Sequence, residues 1–409
     1  MTDTEHASTY TFGDRRLVGQ EHAREQIQRT LQSGRMGHAY LFSGPDGVGK
    51  TAFALALAEI LNGVDNLTDL HGEHTSKKSS WFTHPDIHVF IPLPSTVAKN
   101  ESQKSEELKS RLTLLKKDPY EIIDFKMRPV LDNPSASSNR LAFYPIRYFR
   151  DEIYPKAFLK PNEGRYTILI LTGIESMKVE AANMFLKLLE EPPQNVIFLL
   201  TANSTDSLLP TILSRCQHIR LNPLSQEEIA DGLVKYDGFN PDDAGFLARI
   251  SGGNYSLTRF YDLEELQSTR KEVVSFLRLA YSQDVPALLK IIQDWQSKLN
   301  TESQIGLCNT LEMFLRDLLV YRETADDKLI SNIDQKEVII SFCESLTEAR
   351  LTEMIEHLQG LKGLLYQNIQ FKLIFTVLAI RYSFLMRGKD PVIPTDENWQ
   401  HLPALELNK

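Results

Sequence analysis

The sequence predicts an α/β domain, a parallel sheet flanked by helices, followed by a small helical segment and an all-α C-terminal region. Two observations carry the first part. Short apolar runs alternate with helix-period segments up to about residue 222, and GPDGVGKT, Gly44–Thr51, fits G-x-x-x-x-G-K-[ST] between a run that reads as a strand and one that reads as a helix. One observation carries the rest: after IRLNPLS only helix-period segments follow. Strands that alternate with helices imply crossover connections, hence parallel pairing with helices on both faces.

In chain order, the stretch from LVGQEHAREQIQ opens with a helix, Ala39–Phe42 is a short buried strand, Ser43–Thr51 a turn, and AFALALAEIL a helix of strong formers. About residues 63–164 read as an insertion on the sheet domain, partly helical and partly mobile. Serine-rich, mixed-charge runs such as STVAKNESQKSEELKSRLTLLKKD and DNPSASSNR show weak periodicity there until PIRYFRDEI. YTILILT is a second strand, VEAANMFLKLLEE a helix stopped by Pro192-Pro193, and Asn195–Asn203 a third strand. Ser225 with Glu228 makes a capping box, and Asn240-Pro241 starts another helix with a cap and an N1 proline. SGGN, Ser251–Asn254, breaks the pattern before long amphipathic segments run from about Leu266 to Arg387, among them VPALLKIIQDWQSKL and IGLCNTLEMFLRDLLVYR. The expected domains are therefore 1–222, 223–265 and 266–388, with a polar, proline-bearing tail at 389–409 that should be loosely ordered.

The bulk numbers narrow the function classes. At 409 residues the chain is too long for one ordinary core. A net charge of -9 argues against wrapping nucleic acid by bulk electrostatics, so any DNA contact should be local or shared. Cys216, Cys308 and Cys343 lie far apart, which indicates neither a disulfide framework nor a zinc site and suits a reducing cytoplasm. The N-terminal stretch lacks the apolar core of a signal peptide, and FKLIFTVLAIRYSFLM, broken by Arg381, is too short for a bilayer span and reads as a core helix.

In the glycine loop, Gly44, Gly47 and Gly49 let backbone N–H groups turn inward around a phosphate. Lys50 would reach the β- and γ-phosphates and Thr51 a magnesium ion, unless the loop is a relic that is now only structural. Asn203, ending the third strand, is either a sensor of the γ-phosphate or a turn residue. Arg215, in Ser214-Arg215-Cys216 before a last strand, either pairs within its own chain or projects to a neighbour's nucleotide, where a planar, permanently charged guanidinium stabilises charge on a transferring phosphoryl group. The second strand ends in Thr172 and Gly173, where a hydrolase of this kind carries carboxylates that hold magnesium and orient water; Glu175 lies further on.

These residues carry a resemblance. LVGQEHA, HAYLFSGPDGVGKT, THPD, KPNEGRYTILIL, AANMFLKLLEEPPQNVIFLLTAN and LLPTILSRC resemble the bacterial clamp-loader subunits of the AAA+ class, nearest their delta-prime branch in the DNA polymerase III holoenzyme. The likeness runs over about residues 10 to 260 apart from the insertion, and QNIQFKLIFTVL resembles the family's last collar helix. It implies an AAA+ domain, a helical lid and a helical collar. Through the collar the chain would join motor subunits and delta in a five-membered ring that loads the sliding clamp on primer-template DNA. It implies further that Arg215 is an arginine finger in trans. ATP or ADP at the loop is possible, with Mg2+ only weakly held if at all because the acids are missing, and no membrane is expected, since no stretch is long enough to span one. The chain also departs from the family. The hydrolytic acids are replaced by Thr172 and Gly173, the four-cysteine zinc module before HPD is absent, and His71, His74, His84 and His88 lack the thiolates that would make a substitute. In GGNYSLTRF, Leu257 stands where motor subunits carry a sensing arginine, and Arg259 is two positions off. The expectation is a non-hydrolysing ring member. An ATPase motor subunit using Glu175 is the alternative, and an unrelated P-loop kinase a third reading that lacks an evident acceptor-binding base.

Overall fold

The computed structural model describes residues 15–34, 36–64, 78–98, 101–125, 128, 131, 142–261, 263–299, 301–332, 335–365 and 369–390. The chain divides into two compact units, Met1–Tyr261 and Asp262–Lys409. His71, His74, the run DNPSASSNR and the tail from 391 onward lie outside the described residues.

In the first unit the strands are β1 (Ala39–Ser43), β2 (Ile87–Phe90), β3 (Leu93–Pro94), β4 (Ala142–Phe143), β5 (Thr167–Leu171), β6 (Val196–Ala202) and β7 (Gln217–Arg220). β3 and β4 pair antiparallel in a small ladder of their own; the other five form one sheet in the order β2-β5-β6-β1-β7, parallel at every pairing. β1, β5 and β6 are buried at every residue, as expected of central strands whose faces are both covered. The helix Lys50–Leu61 buries every residue except Thr51 and Glu59. The helix Val179–Glu190 turns Ala181, Phe185 and Leu188 inward, with the Phe185 ring edge-on to Phe198 of β6 at 5.4 Å.

The stretch read as an insertion needs correcting, because it contains a strand of the main sheet. β2 pairs Ile87 with Ile168 and Phe90 with Leu171. Its run of four residues carries His88 and is flanked by prolines, which hides its apolar character. The extra chain folds as well: the helix Glu101–Lys117 precedes a turn whose Phe125 ring lies 3.6 Å under the Arg111 guanidinium, while Arg111 donates to the Ile123 carbonyl at 2.9 Å. The THPD stretch fixes the start of β5. Buried Asp86 accepts the backbone N–H groups of Asn162, Glu163 and Gly164 at 2.7 Å each, and its own N–H donates to His84 Nδ1.

His88 is half-buried, and burial, with Lys156 nearby, pushes its pKa down to about 4. The unfolded chain therefore binds a proton that the folded chain refuses between about pH 6.5 and 4. Stability from this group is complete above that window and is lost as pH falls through it. Urea midpoints measured from pH 7 to 4.5 should fall less steeply for His88→Gln than for the wild type, and parallel curves would refute the assignment.

The small helical segment opens with the capping box: Ser225 Oγ accepts the Glu228 N–H at 3.1 Å and Glu228 Oε2 accepts the Ser225 N–H at 2.8 Å. Glu228 Oε1 also accepts the N–H of Gln20, which has a left-handed φ of 61°. The helix Pro241–Ile250 is capped by the Asn240 side chain.

Among its described residues the regular structure of the second unit is all helical, with α-helices at Leu263–Ser282, Val285–Lys298, Thr301–Thr324, Lys336–Ser345, Leu351–Leu365 and Phe371–Leu385. Phe276, Trp295 and Phe375 form its aromatic centre, with ring centroids 5.5 to 5.7 Å apart. Phe371–Leu385 is the core helix expected from its sequence: Ile374, Phe375, Leu378 and Tyr382 are buried. No helix among the described residues is long and apolar enough to cross a membrane.

Candidate functional site

Parallel pairing brings the carboxyl ends of the strands to one edge of the sheet, and the glycine loop leaves β1 there. The Gly44 N–H donates to the Ala202 carbonyl at 3.2 Å, and Leu221 N–H to the Ser43 carbonyl at 2.7 Å, which ties the loop to β6 and β7. Gly44, Gly47 and Gly49 have φ of 153°, 73° and 97°, and Gly49 caps the helix that begins with Lys50. Left-handed backbone of this kind aims successive N–H groups at one point, the geometry of a phosphate cradle.

The close approaches show what faces the loop in this chain. A Cβ on Gly44 would overlap the Leu221 carbonyl, one on Gly47 the Asn254 side chain, and one on Gly49 would lie 2.8 Å from the Tyr120 ring and hydroxyl. Lys50 is buried and turned back, its Nζ donating to the carbonyls of Gly44 at 2.8 Å and Pro45 at 2.5 Å. Burial pushes its ammonium pKa down, against the opposing pull of Asp46 and Glu175. Thr51 follows it, half-buried.

No carboxylate stands at the end of β5. Thr172 donates its N–H to the Phe90 carbonyl at 3.0 Å, and its own carbonyl accepts the Tyr144 hydroxyl at 2.7 Å. Gly173, at φ 58°, donates to Thr201 Oγ1. The nearest acid is Glu175, in the turn Ile174–Ser176, whose Oε1 accepts the Asn203 N–H at 3.1 Å. Burial pushes its carboxyl pKa up, while the Asn203 N–H and Lys50 oppose the shift. Glu175 therefore ties the turn after β5 to the end of β6, which its place in the sequence, past the strand, did not suggest. The Asn203 side chain is exposed at the same edge. Among the described residues no group of three or more His, Cys, Asp or Glu is arranged to hold a metal ion.

Arg215 lies elsewhere. The short helix Pro210–Leu213 ends just before it, and β7 begins two residues later. Because Gln217 is level with Tyr40 and Arg220 with Ser43, Arg215 precedes the amino end of the sheet edge while the loop leaves the carboxyl end. Roughly 10 Å of strand separates the two ends. The guanidinium donates to the Thr211 carbonyl and pairs with Glu190 at 2.9 Å, with about a third of the side chain exposed. The Cys216 thiol is pushed by burial up to about 12, so it is a packing group.

The structure thus gathers Gly44, Gly47, Gly49, Lys50, Thr51 and Asn203 at one edge and sets Arg215 at the other. Sequence reading missed Tyr120, Asn254 and Glu190, since nothing in spacing announces their contacts. Leu257 donates its N–H to Asn254 Oδ1, and the side chain of Arg259 lies outside the description.

Residues 19–225 match the family described as DNA polymerase III, delta subunit, and residues 264–383 match DNA polymerase III, delta subunit, C terminal. The DNA polymerase III subunit delta' of Bacillus subtilis is 24% identical over 346 residues, covering 84% of this chain and 90% of that protein. The DNA polymerase III subunit gamma/tau of Mycobacterium tuberculosis is 28% identical over 243 residues, 58% of this chain; the match spans about a third, 34%, of that relative's length. Among solved structures, a DNA polymerase III gamma subunit-related protein of Thermotoga maritima matches over 89% of this chain and 99% of that one, at 15% identity with a TM-score of 0.38.

Proposed function

The chain belongs to the DNA polymerase III delta-subunit family, and on that premise we propose that it is a delta-prime-type clamp-loader subunit that hydrolyses no ATP itself and lends Arg215 to a neighbouring motor subunit. The observation that carries the reading is the opposed placement of loop and arginine. A group before the amino end of β7 is out of reach of its own loop at the carboxyl end, but it is exposed enough to meet another chain. The stripped end of β5 points the same way, since Thr172 and Gly173 offer neither a magnesium ligand nor a group to orient water. The relative matched over 90% of its length is a delta' subunit, whereas the gamma/tau match is partial, which disfavours the motor reading.

On this reading the helices of the second unit are the collar that joins the other subunits, and the sliding clamp and primed DNA are met through the complex. Any nucleotide held at Lys50 and Thr51 would be passive. The isolated full-length chain, assayed with saturating ATP and primed DNA, should turn over no faster than its Lys50→Ala variant. DNA-stimulated turnover well above that control would support the motor reading instead.

A further inference from the structure

The glycine loop has the backbone of a nucleotide site, yet its surroundings do not fit a bound nucleotide. The close approach to Gly49 comes from a segment that no spacing connects with the loop. Tyr120, in the turn after the helix Glu101–Lys117, is 2% exposed although it sits in a polar, charged stretch of sequence. Its hydroxyl accepts the Val18 N–H at 2.7 Å, its ring lies edge-on to Tyr255 at 4.9 Å, and its Cε1 and hydroxyl press on Gly49, the residue that caps the loop helix. The turn that delivers it is fixed: Asp118 Oδ1 accepts the Tyr120 N–H at 2.9 Å, and Arg16 pairs with both Asp118 at 3.2 Å and Asp237 at 2.7 Å.

We propose that Tyr120 is a built-in occupant of the nucleotide crevice, so that the inserted segment closes this loop to nucleotide in the folded chain. A planar base beside a phosphate loop would need room next to the loop, packing for its face and polar groups that fix its edge. The phenol of Tyr120 fills that room: it lies close against Gly49, meets Tyr255 edge-on and accepts the Val18 N–H. The rest of the loop is satisfied internally as well. Asn254 packs over Gly47, and the Lys50 ammonium is hydrogen-bonded to loop carbonyls where phosphate oxygens would otherwise compete for it. Nucleotide binding would therefore require Tyr120 to leave, with loss of the Val18 hydrogen bond and exposure of the ring. The inference refines the passive loop of the proposed function but does not depend on Arg215, and its test on the isolated chain fails or succeeds separately from any test of the complex.

The test is calorimetric titration of the full-length protein with Mg-ADP. Wild type should show no binding up to roughly millimolar ADP. Tyr120→Ala, checked for a cooperative urea transition, should gain affinity by at least about tenfold, and adding Lys50→Ala should abolish the gain. Micromolar binding by wild type would overturn the proposal, as would a folded Tyr120→Ala variant that binds no more tightly. Should Tyr120→Ala fail to fold, hydrogen exchange of wild type decides. Exchange unchanged throughout the chain in excess ADP supports the plug, as does protection of the glycine loop gained only together with loss at Val18 and Tyr120; glycine-loop protection gained with Val18 and Tyr120 unchanged overturns it.

Discussion

On the proposed reading, replacing Arg215 by alanine should leave the assembled complex intact and remove ATP turnover at the neighbouring site that Arg215 would serve. An arginine finger contributes about 10³ to 10⁵ in rate, because it stabilises charge that develops only in the transition state. The loss should therefore fall on turnover, with the KM for ATP little changed. In a complex with several motor sites the bulk rate drops by the share of that site if sites fire independently, and much further if they fire in sequence. Single-turnover measurement separates the two cases. Arg215→Lys should fail to rescue, since a point charge on a flexible stem lacks the planar fork. The structural cost should be small: the Arg215 and Glu190 side chains are 34% and 49% exposed, and ion pairs this open contribute about 0–1 kcal/mol. Unchanged turnover in a complex shown to contain the variant would end the proposal.

How far the sequence spoke for this molecule depends on the range of the interaction concerned. Local chemistry was legible. The glycine loop, the strongly apolar helix after it, the box at Ser225 and Glu228 and the proline start at Pro241 each depend on residues within a few positions of one another, and each is present. The missing acids at Thr172 and Gly173 were legible for the same reason. What escaped is long-range or atypical. β2 is a four-residue run with a histidine in it, and only its pairing with β5 makes it a strand. Tyr120 meets Val18 across a sequence separation of 102, and no periodicity connects DPYEII with LVGQ. Glu175 looked misplaced because reading along the strand assumes that a side chain acts where its Cα lies, whereas a tight turn brings its carboxylate back to Asn203. Spacing within a motif reports on the backbone that builds a site; it says little about which distant side chains fill it.

The largest stability effect should come from Asp86, which the sequence marked only as part of THPD. Its carboxylate is buried and spends both oxygens on backbone donors: Oδ1 on Asn162, Oδ2 on Glu163 and Gly164. Alanine would take the carboxylate from three part-buried N–H groups ahead of β5. A fully buried donor left without a partner costs about 1–3 kcal/mol. Because these groups are partly open to water and share one site, the sum should fall well short of additive, at about 2–4 kcal/mol. Asparagine should do little better. An amide has one acceptor oxygen, so in either orientation its NH2 faces at least one donor. Asn62 limits the damage, since its side chain accepts the Tyr166 N–H at 3.0 Å and donates to the Tyr166 carbonyl at 2.9 Å, holding the next residues in place. Urea unfolding of the full chain should therefore show the first unit destabilised to a similar degree by Asp86→Ala and Asp86→Asn. A loss below about 1 kcal/mol for the asparagine variant would mean that water or a shifted backbone satisfies the donors, and that the three N–H bonds are not what anchors β5.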